Sequence, residues 1–256
     1  MRSWKKSISK ALGERDLESQ PQSVAAESCP QVFTDVSADP FVRGLLHTPA
    51  TPNGAGMVLT HGAGSNCQAP LLIALAEVFS EAGFVVLRCD LPYRQDRPYG
   101  PPGPGDAKRD RAGLKNAMAA IKLFANRRVF LGGHSYGGRQ ASMLCAELAS
   151  EKAPEGAPEI PAGLLLLSYP LHPPRKPEQL RTQHFFHLHT PALFVSGTRD
   201  PFGSIAEIEQ ALKLIPAKTR LFTVDGAGHD LGFKGKAKRE ELSARVLTEF
   251  RAFLER

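Results

Sequence analysis

Ser135 sits in Gly132-Gly133-His134-Ser135-Tyr136-Gly137-Gly138, directly after the apolar run "RVFL" and directly before a stretch of helical period. A serine hydroxyl is a weak nucleophile at neutral pH, so it attacks a carbonyl carbon only when a base takes its proton and an acid orients that base. The five-residue GxSxG pattern alone leaves a plain turn as an equal reading. Its context, a strand before and a helix after, is the setting of a sharp elbow that exposes the serine at the sheet edge. Such a turn holds the serine in a strained conformation, and side chains at the flanking glycines would collide with neighbouring backbone. The helix that follows also directs its free N–H groups toward Ser135, where negative charge forms during attack.

Base and acid follow in the order Ser, Asp, His. Asp200 lies in Thr198-Arg199-Asp200-Pro201-Phe202 after the run "ALFVSG", and His229 in Ala227-Gly228-His229-Asp230 after "LFTVDG". Both therefore fall at strand carboxyl ends, on the same sheet edge as Ser135. Asp225 and Asp230 compete with Asp200 for the acid, and Asp200 has a second reading as the cap of a helix starting near Ser204. The other histidines carry weaker expectations: His134 should point away from the nucleophile, and His172, His184, His187 and His189 should sit on the domain rim. Acyl transfer also needs donors for the oxyanion. The backbone N–H of Tyr136 is one candidate. Ala63, in His61-Gly62-Ala63-Gly64 after the run "GMVLT", is the other. That glycine-rich loop lacks both the Lys-Ser/Thr of a P-loop and the GxGxxG of a dinucleotide site.

These residues need a sheet to align them. From Gln31 onward, short apolar runs alternate with helical stretches, which predicts a mostly parallel sheet flanked by helices on both faces. "QVFTDV" and "VRGLLH" read as a leading antiparallel pair. "GMVLT", "FVVLRC", "RVFLGG", "GLLLLS", "PALFVSG" and "RLFTVDG" follow, most without alternation, as strands buried on both faces should be. Helices are expected over 70–82, 107–125, 136–150, 205–214 and 239–254. In the last, Leu242, Val246, Phe250 and Phe253 form one apolar stripe. Residues 1–30 read as a flexible segment, 31–256 as a single domain, 90–110 as a long loop at the strand carboxyl ends, and 151–163 as a Pro/Gly-rich connection at the opposite edge.

Composition excludes several classes. At 256 residues, with 42% hydrophobic and 23% charged residues, the chain is ordinary for one globular domain. Its net charge of +6 is scattered, with no aromatic-basic platform, so no nucleic-acid partner is expected. Cys29, Cys67, Cys89 and Cys145 have neither zinc nor disulfide spacing, and no metal or other cofactor is expected. With no apolar signal core near the start and no window of membrane-span length, a cytoplasmic setting without membrane contact is the default. Composition leaves the oligomeric state open.

On HGAG, GHSYG, and the later RD and GH, the chain resembles the α/β-hydrolase superfamily over about residues 31–256. More narrowly, "HGAGSN", "DLPYR", "GGHSYGGR" and "GTRDPFG" look like a small cap-less branch related to the dienelactone hydrolases. That enzyme type uses a cysteine nucleophile; Ser135 stands at the position here, which favours ordinary esters or thioesters over lactones. The resemblance implies an α/β-hydrolase fold and a Ser135-His229-Asp200 triad, because Asp200 occupies the strand end that the superfamily uses. Only residues 169–190 separate Ser168 from Pro191, too few for a cap domain. The implied activity is hydrolysis of small acyl esters or thioesters, with peptidase chemistry sharing the machinery. A non-catalytic binding or scaffold protein of the same fold is the alternative. Within residues 90–110, Tyr93, Arg94 and Arg97 are candidate substrate contacts, since an arginine fork beside a tyrosine suits an anionic group on a mainly apolar ester.

Overall fold

The computed structural model describes residues 29–150, 160–233 and 236–255. Residues 1–28 of the expected flexible segment, and 151–159 of the connection, lie outside the described residues. The strands are β1 (Gln31–Asp35), β2 (Val42–His47), β3 (Gly56–Thr60), β4 (Val85–Cys89), β5 (Val129–His134), β6 (Leu164–Leu167), β7 (Ala192–Gly197) and β8 (Thr219–Val224). The helices are α1 (Pro70–Glu81), α2 (Pro92–Asp96), α3 (Asp106–Ile121), α4 (Tyr136–Ser150), α5 (Ile205–Leu212) and α6 (Lys236–Leu254).

The strands form one sheet in the order β1-β2-β4-β3-β5-β6-β7-β8. The leading pair is antiparallel, β2 meets β4 antiparallel, and every later pairing is parallel. Because strand side chains alternate between faces, an unbroken apolar run must feed two cores. Val129 and Leu131 of β5 enter one core, with Leu114 and Met118 of α3 and Leu144 of α4. Phe130 enters the other, with Phe79 of α1 and Val246, Phe250 and Phe253 of α6. Phe250 packs 5.3 Å from the Phe130 ring and 5.5 Å from Phe79. Burial of each such side chain contributes about 1.5–3 kcal/mol.

The structure corrects the long-loop expectation for residues 90–110: α2 and the first turn of α3 lie inside it. Pro92 presets the backbone angle of the first helical position, while Asp110 of α3 accepts the Tyr93 N–H at 3.1 Å. Helix α6 starts at Lys236, ahead of the expected 239, and α3 ends at Ile121, short of 125. Between β6 and β7 the only regular element is a 3₁₀ turn, Phe185–His187, so no cap domain is inserted there. No described helix is long and apolar enough to cross a membrane.

Two buried histidines tie this fold to pH. Arg88 of β4 is 2% exposed, and its Nε–H donates to His47 Nε2 at 2.9 Å. The Leu91 N–H donates to His61 Nε2 at 3.1 Å. Each ring must therefore be neutral to accept. Burial, helped at His47 by the adjacent Arg88 charge, pushes both pKa values down to about 4. The unfolded chain takes up both protons near the ordinary value of 6.5, so this stabilisation is complete above that pH and is lost as pH falls toward 4. Urea midpoints should drop across that window, each histidine adding a slope of up to about 1.4 kcal/mol per pH unit. His47→Gln keeps an acceptor for Arg88 and should remove one proton from the slope; an unchanged slope would refute the assignment.

Candidate active site

Ser135 joins β5 to α4 at φ 52°, the left-handed region that non-glycine residues seldom occupy. The strain is held by packing on every side. Ser135 N–H donates to Leu167 O at 2.8 Å, and Ser135 O accepts from Arg139 N–H at 3.0 Å. A Cβ at Gly133 would lie 2.7 Å from the Gly137 and Gly138 backbone, and one at Gly137 would lie 2.5 Å from His61 O. Only glycine lets the elbow close on itself and lets the loop after β3 press against it.

Across the sheet edge, His229 Nε2 lies 2.8 Å from Ser135 Oγ. Its Nδ1 lies 2.9 Å and 3.0 Å from the two oxygens of Asp200. A carboxylate can only accept, so Nδ1 carries the proton and Nε2 presents its lone pair to the serine hydroxyl. The Asp200 side chain is 2% exposed and that of His229 23%. Asp200 Oδ1 also accepts the Phe202 N–H at 2.9 Å, and the Phe202 ring lies 4.2 Å from the His229 ring at 33°. Orientation of the base thus comes from a hydrogen bond to a buried carboxylate and an aromatic face together.

The rival acids have other work. Thr198 Oγ1 lies 3.3 Å from Asp225 Oδ1, and Asp230 accepts the Gly232 N–H at 3.0 Å. Ser204 caps α5 in a capping box with Glu207, so Asp200 is not the cap. The loops carrying Asp200 and His229 meet closely: Arg199 N–H donates to Ala227 O at 2.8 Å, and a Cβ on Gly197 would lie 2.3 Å from that oxygen.

His134 departs from expectation. Rather than pointing away, its Nε2–H donates to the His229 carbonyl at 2.8 Å, with the two rings 5.2 Å apart. Burial pushes its pKa down and keeps it neutral. Nothing in the GxSxG pattern signals this contact, since the partner is 95 residues away. Against the rim expectation His172 is buried, its Nε2 3.5 Å from Glu207, and His184 Nε2 meets Ser142 Oγ at 2.8 Å in a part-buried contact.

Tyr93 and Arg94 also depart from expectation. Arg94 is 4% exposed, and its guanidinium donates to the carbonyls of Ser65, Arg97, Ala63 and Gly100 at 2.7–3.1 Å. Four of its five N–H groups are thereby engaged, and the fork has no free edge for an anion. Tyr93, 1% exposed, donates its hydroxyl to Ala63 O at 2.8 Å. Arg97 is half exposed and pairs with Asp106. Tyr93 and Arg94 therefore hold protein backbone in place of an anionic group.

The family model for the alpha/beta hydrolase domain matches residues 53–255. The chain belongs to the alpha/beta hydrolase domain family. Among solved structures, this alpha/beta hydrolase resembles a dienelactone hydrolase from Anabaena variabilis, at 23% identity and TM-score 0.61 over 84% of this chain and 96% of that one. A serine hydrolase homologue from Coxiella burnetii matches at 14% identity and TM-score 0.64, over 89% of this chain and 99% of that one. A lid-less serine hydrolase from Xanthomonas campestris matches at 12% identity and TM-score 0.61, over 88% and 94%. At these identities the likeness is one of fold.

Proposed function

We propose that this protein is a serine hydrolase that cleaves small acyl esters or thioesters through an acyl-enzyme. The observation that carries the reading is the unbroken hydrogen-bonded chain from Asp200 through His229 to Ser135, at 2.9 Å and 2.8 Å. In the first step Ser135 Oγ bonds to the substrate carbonyl carbon while His229 Nε2 takes the hydroxyl proton, and Asp200 stabilises the imidazolium. The carbonyl oxygen becomes an oxyanion facing the backbone N–H groups of Ala63 and Tyr136. Its collapse breaks the bond to the leaving alkoxide or thiolate, which receives the proton from His229. Water, deprotonated by the same nitrogen, then releases the acid and restores Ser135. The short link between β6 and β7 leaves this site without a cap, which favours a small-molecule acyl substrate that needs no enclosing lid.

A fluorophosphonate probe tests the reading against the scaffold alternative. The probe should add one phosphonyl group to Ser135, displacing fluoride, and mass spectrometry of the modified peptide should locate it. Heat-denatured protein should remain unlabelled. A folded protein that is not labelled would overturn the enzymatic reading and leave the scaffold.

A further inference from the structure

The motif Asp90-Leu91-Pro92-Tyr93-Arg94 has no part in the bond-breaking steps, yet four of its residues hydrogen-bond the loop after β3. Asp90 Oδ1 accepts the Cys67 N–H at 2.7 Å, and the Leu91 N–H donates to His61. Tyr93 and Arg94 both donate to Ala63 O, at 2.8 Å and 3.0 Å, and Arg94 also donates to Ser65 O. On the preceding peptide, Gly62 O accepts from His61 Nδ1–H at 2.9 Å and from Ser65 N–H at 3.0 Å. In a trans peptide the N–H points opposite to its C=O. Holding Gly62 O on one side therefore aims the Ala63 N–H to the other, and holding Ala63 O prevents the next peptide from flipping.

Asp110 joins this clamp to the elbow. It is fully buried; one oxygen accepts the Tyr93 N–H at 3.1 Å and the other the Tyr136 hydroxyl at 2.7 Å. Tyr93 and Tyr136 also meet edge to face at 5.8 Å. The two residues assigned as oxyanion donors are thus tied to a single carboxylate, Tyr136 through its own side chain and Ala63 through Tyr93. We propose that Tyr93, Arg94 and Asp110 are positioning residues that set the direction and spacing of the two oxyanion donors. This rests on the hydrolase reading above and goes beyond it, since all three side chains are buried and engaged with protein groups.

The test compares kcat per active site, counted by fluorophosphonate titration, for wild type, Tyr93→Phe, Arg94→Lys, Asp110→Leu and Asp110→Asn on 4-nitrophenyl acetate. A purely structural role would lower the melting temperature and the number of titratable sites but leave turnover per site unchanged. Positioning predicts a fall in kcat per site of about 10- to 100-fold for Tyr93→Phe and Asp110→Leu with KM within about 2-fold, the scale of displacing one oxyanion donor. Affinity for a trifluoromethyl ketone, which forms a tetrahedral adduct, should fall in step with kcat. Asp110→Asn should recover most of the loss, because an amide can accept from the Tyr93 N–H and donate to the Tyr136 hydroxyl. If Asp110→Leu fails to fold, Tyr93→Phe, which deletes one oxygen, carries the test. Turnover per site equal to wild type in Tyr93→Phe overturns the positioning role alone. A wild type that neither titrates nor turns over overturns the hydrolase reading, and the positioning role with it.

Discussion

Ser135→Ala should abolish ester turnover, with a loss of about 10⁴–10⁶-fold in kcat and an unchanged melting profile. The expectation follows from how little else the hydroxyl does. Its hydrogen bond is to His229 Nε2 at 2.8 Å, whereas the backbone of the elbow is held by Leu167 O, Arg139 N–H and the close approach of Gly133 to Gly137 and Gly138. Alanine has the same β-carbon as serine, so the positive φ of 52° becomes no harder to hold. Circular dichroism and a thermal melt establish the fold, and initial rates against a buffer blank establish the loss. Hydrolysis at a wild-type rate in this variant would remove Ser135 from the mechanism.

Asp200→Asn should cost about 10⁴-fold in kcat, far more than Asp225→Asn or Asp230→Asn. The amide oxygen would take over the Phe202 N–H that Asp200 Oδ1 accepts at 2.9 Å. That leaves the amide NH₂ facing His229 Nδ1 at the position of the oxygen now 2.9 Å away. A donor there favours the imidazole proton on Nε2, the tautomer that points an N–H at Ser135 and cannot receive its proton. Asp225 and Asp230 are engaged with Thr198 and Gly232, so their amides should change kcat by less than about 10-fold. Equal damage from Asp225→Asn would transfer the acid's role to that residue.

The elements were legible because their signals are local. "GMVLT" is strand β3 over Gly56–Thr60, and "YGGRQASMLCAELAS" is helix α4 over Tyr136–Ser150, each with the expected bounds. The stripe of Leu242, Val246, Phe250 and Phe253 lies buried on α6, at 7% exposure or less. In residues 90–110 local signals failed. Six consecutive prolines and glycines from Gly100 masked a helix on either side, and α2 is anchored instead by Asp110, one turn inside α3.

By itself the sequence determined a mostly parallel sheet, the chain order of its strands, and the placing of Ser135, Asp200 and His229 at ends of β5, β7 and β8, since apolar runs and the glycines that end them encode those features within a few residues. Only the tertiary structure decided what each polar side chain faces. Arg94 looked like an anion fork by composition; packing delivered the carbonyls of Ala63 and Ser65, about thirty positions earlier in the chain, to its guanidinium first. His134 looked idle until the fold set the His229 carbonyl against it from 95 residues away. A buried donor takes whichever acceptor the folded backbone brings within 3 Å, because leaving it unpaired costs about 1–3 kcal/mol, and no residue type or spacing along the chain specifies which acceptor that will be.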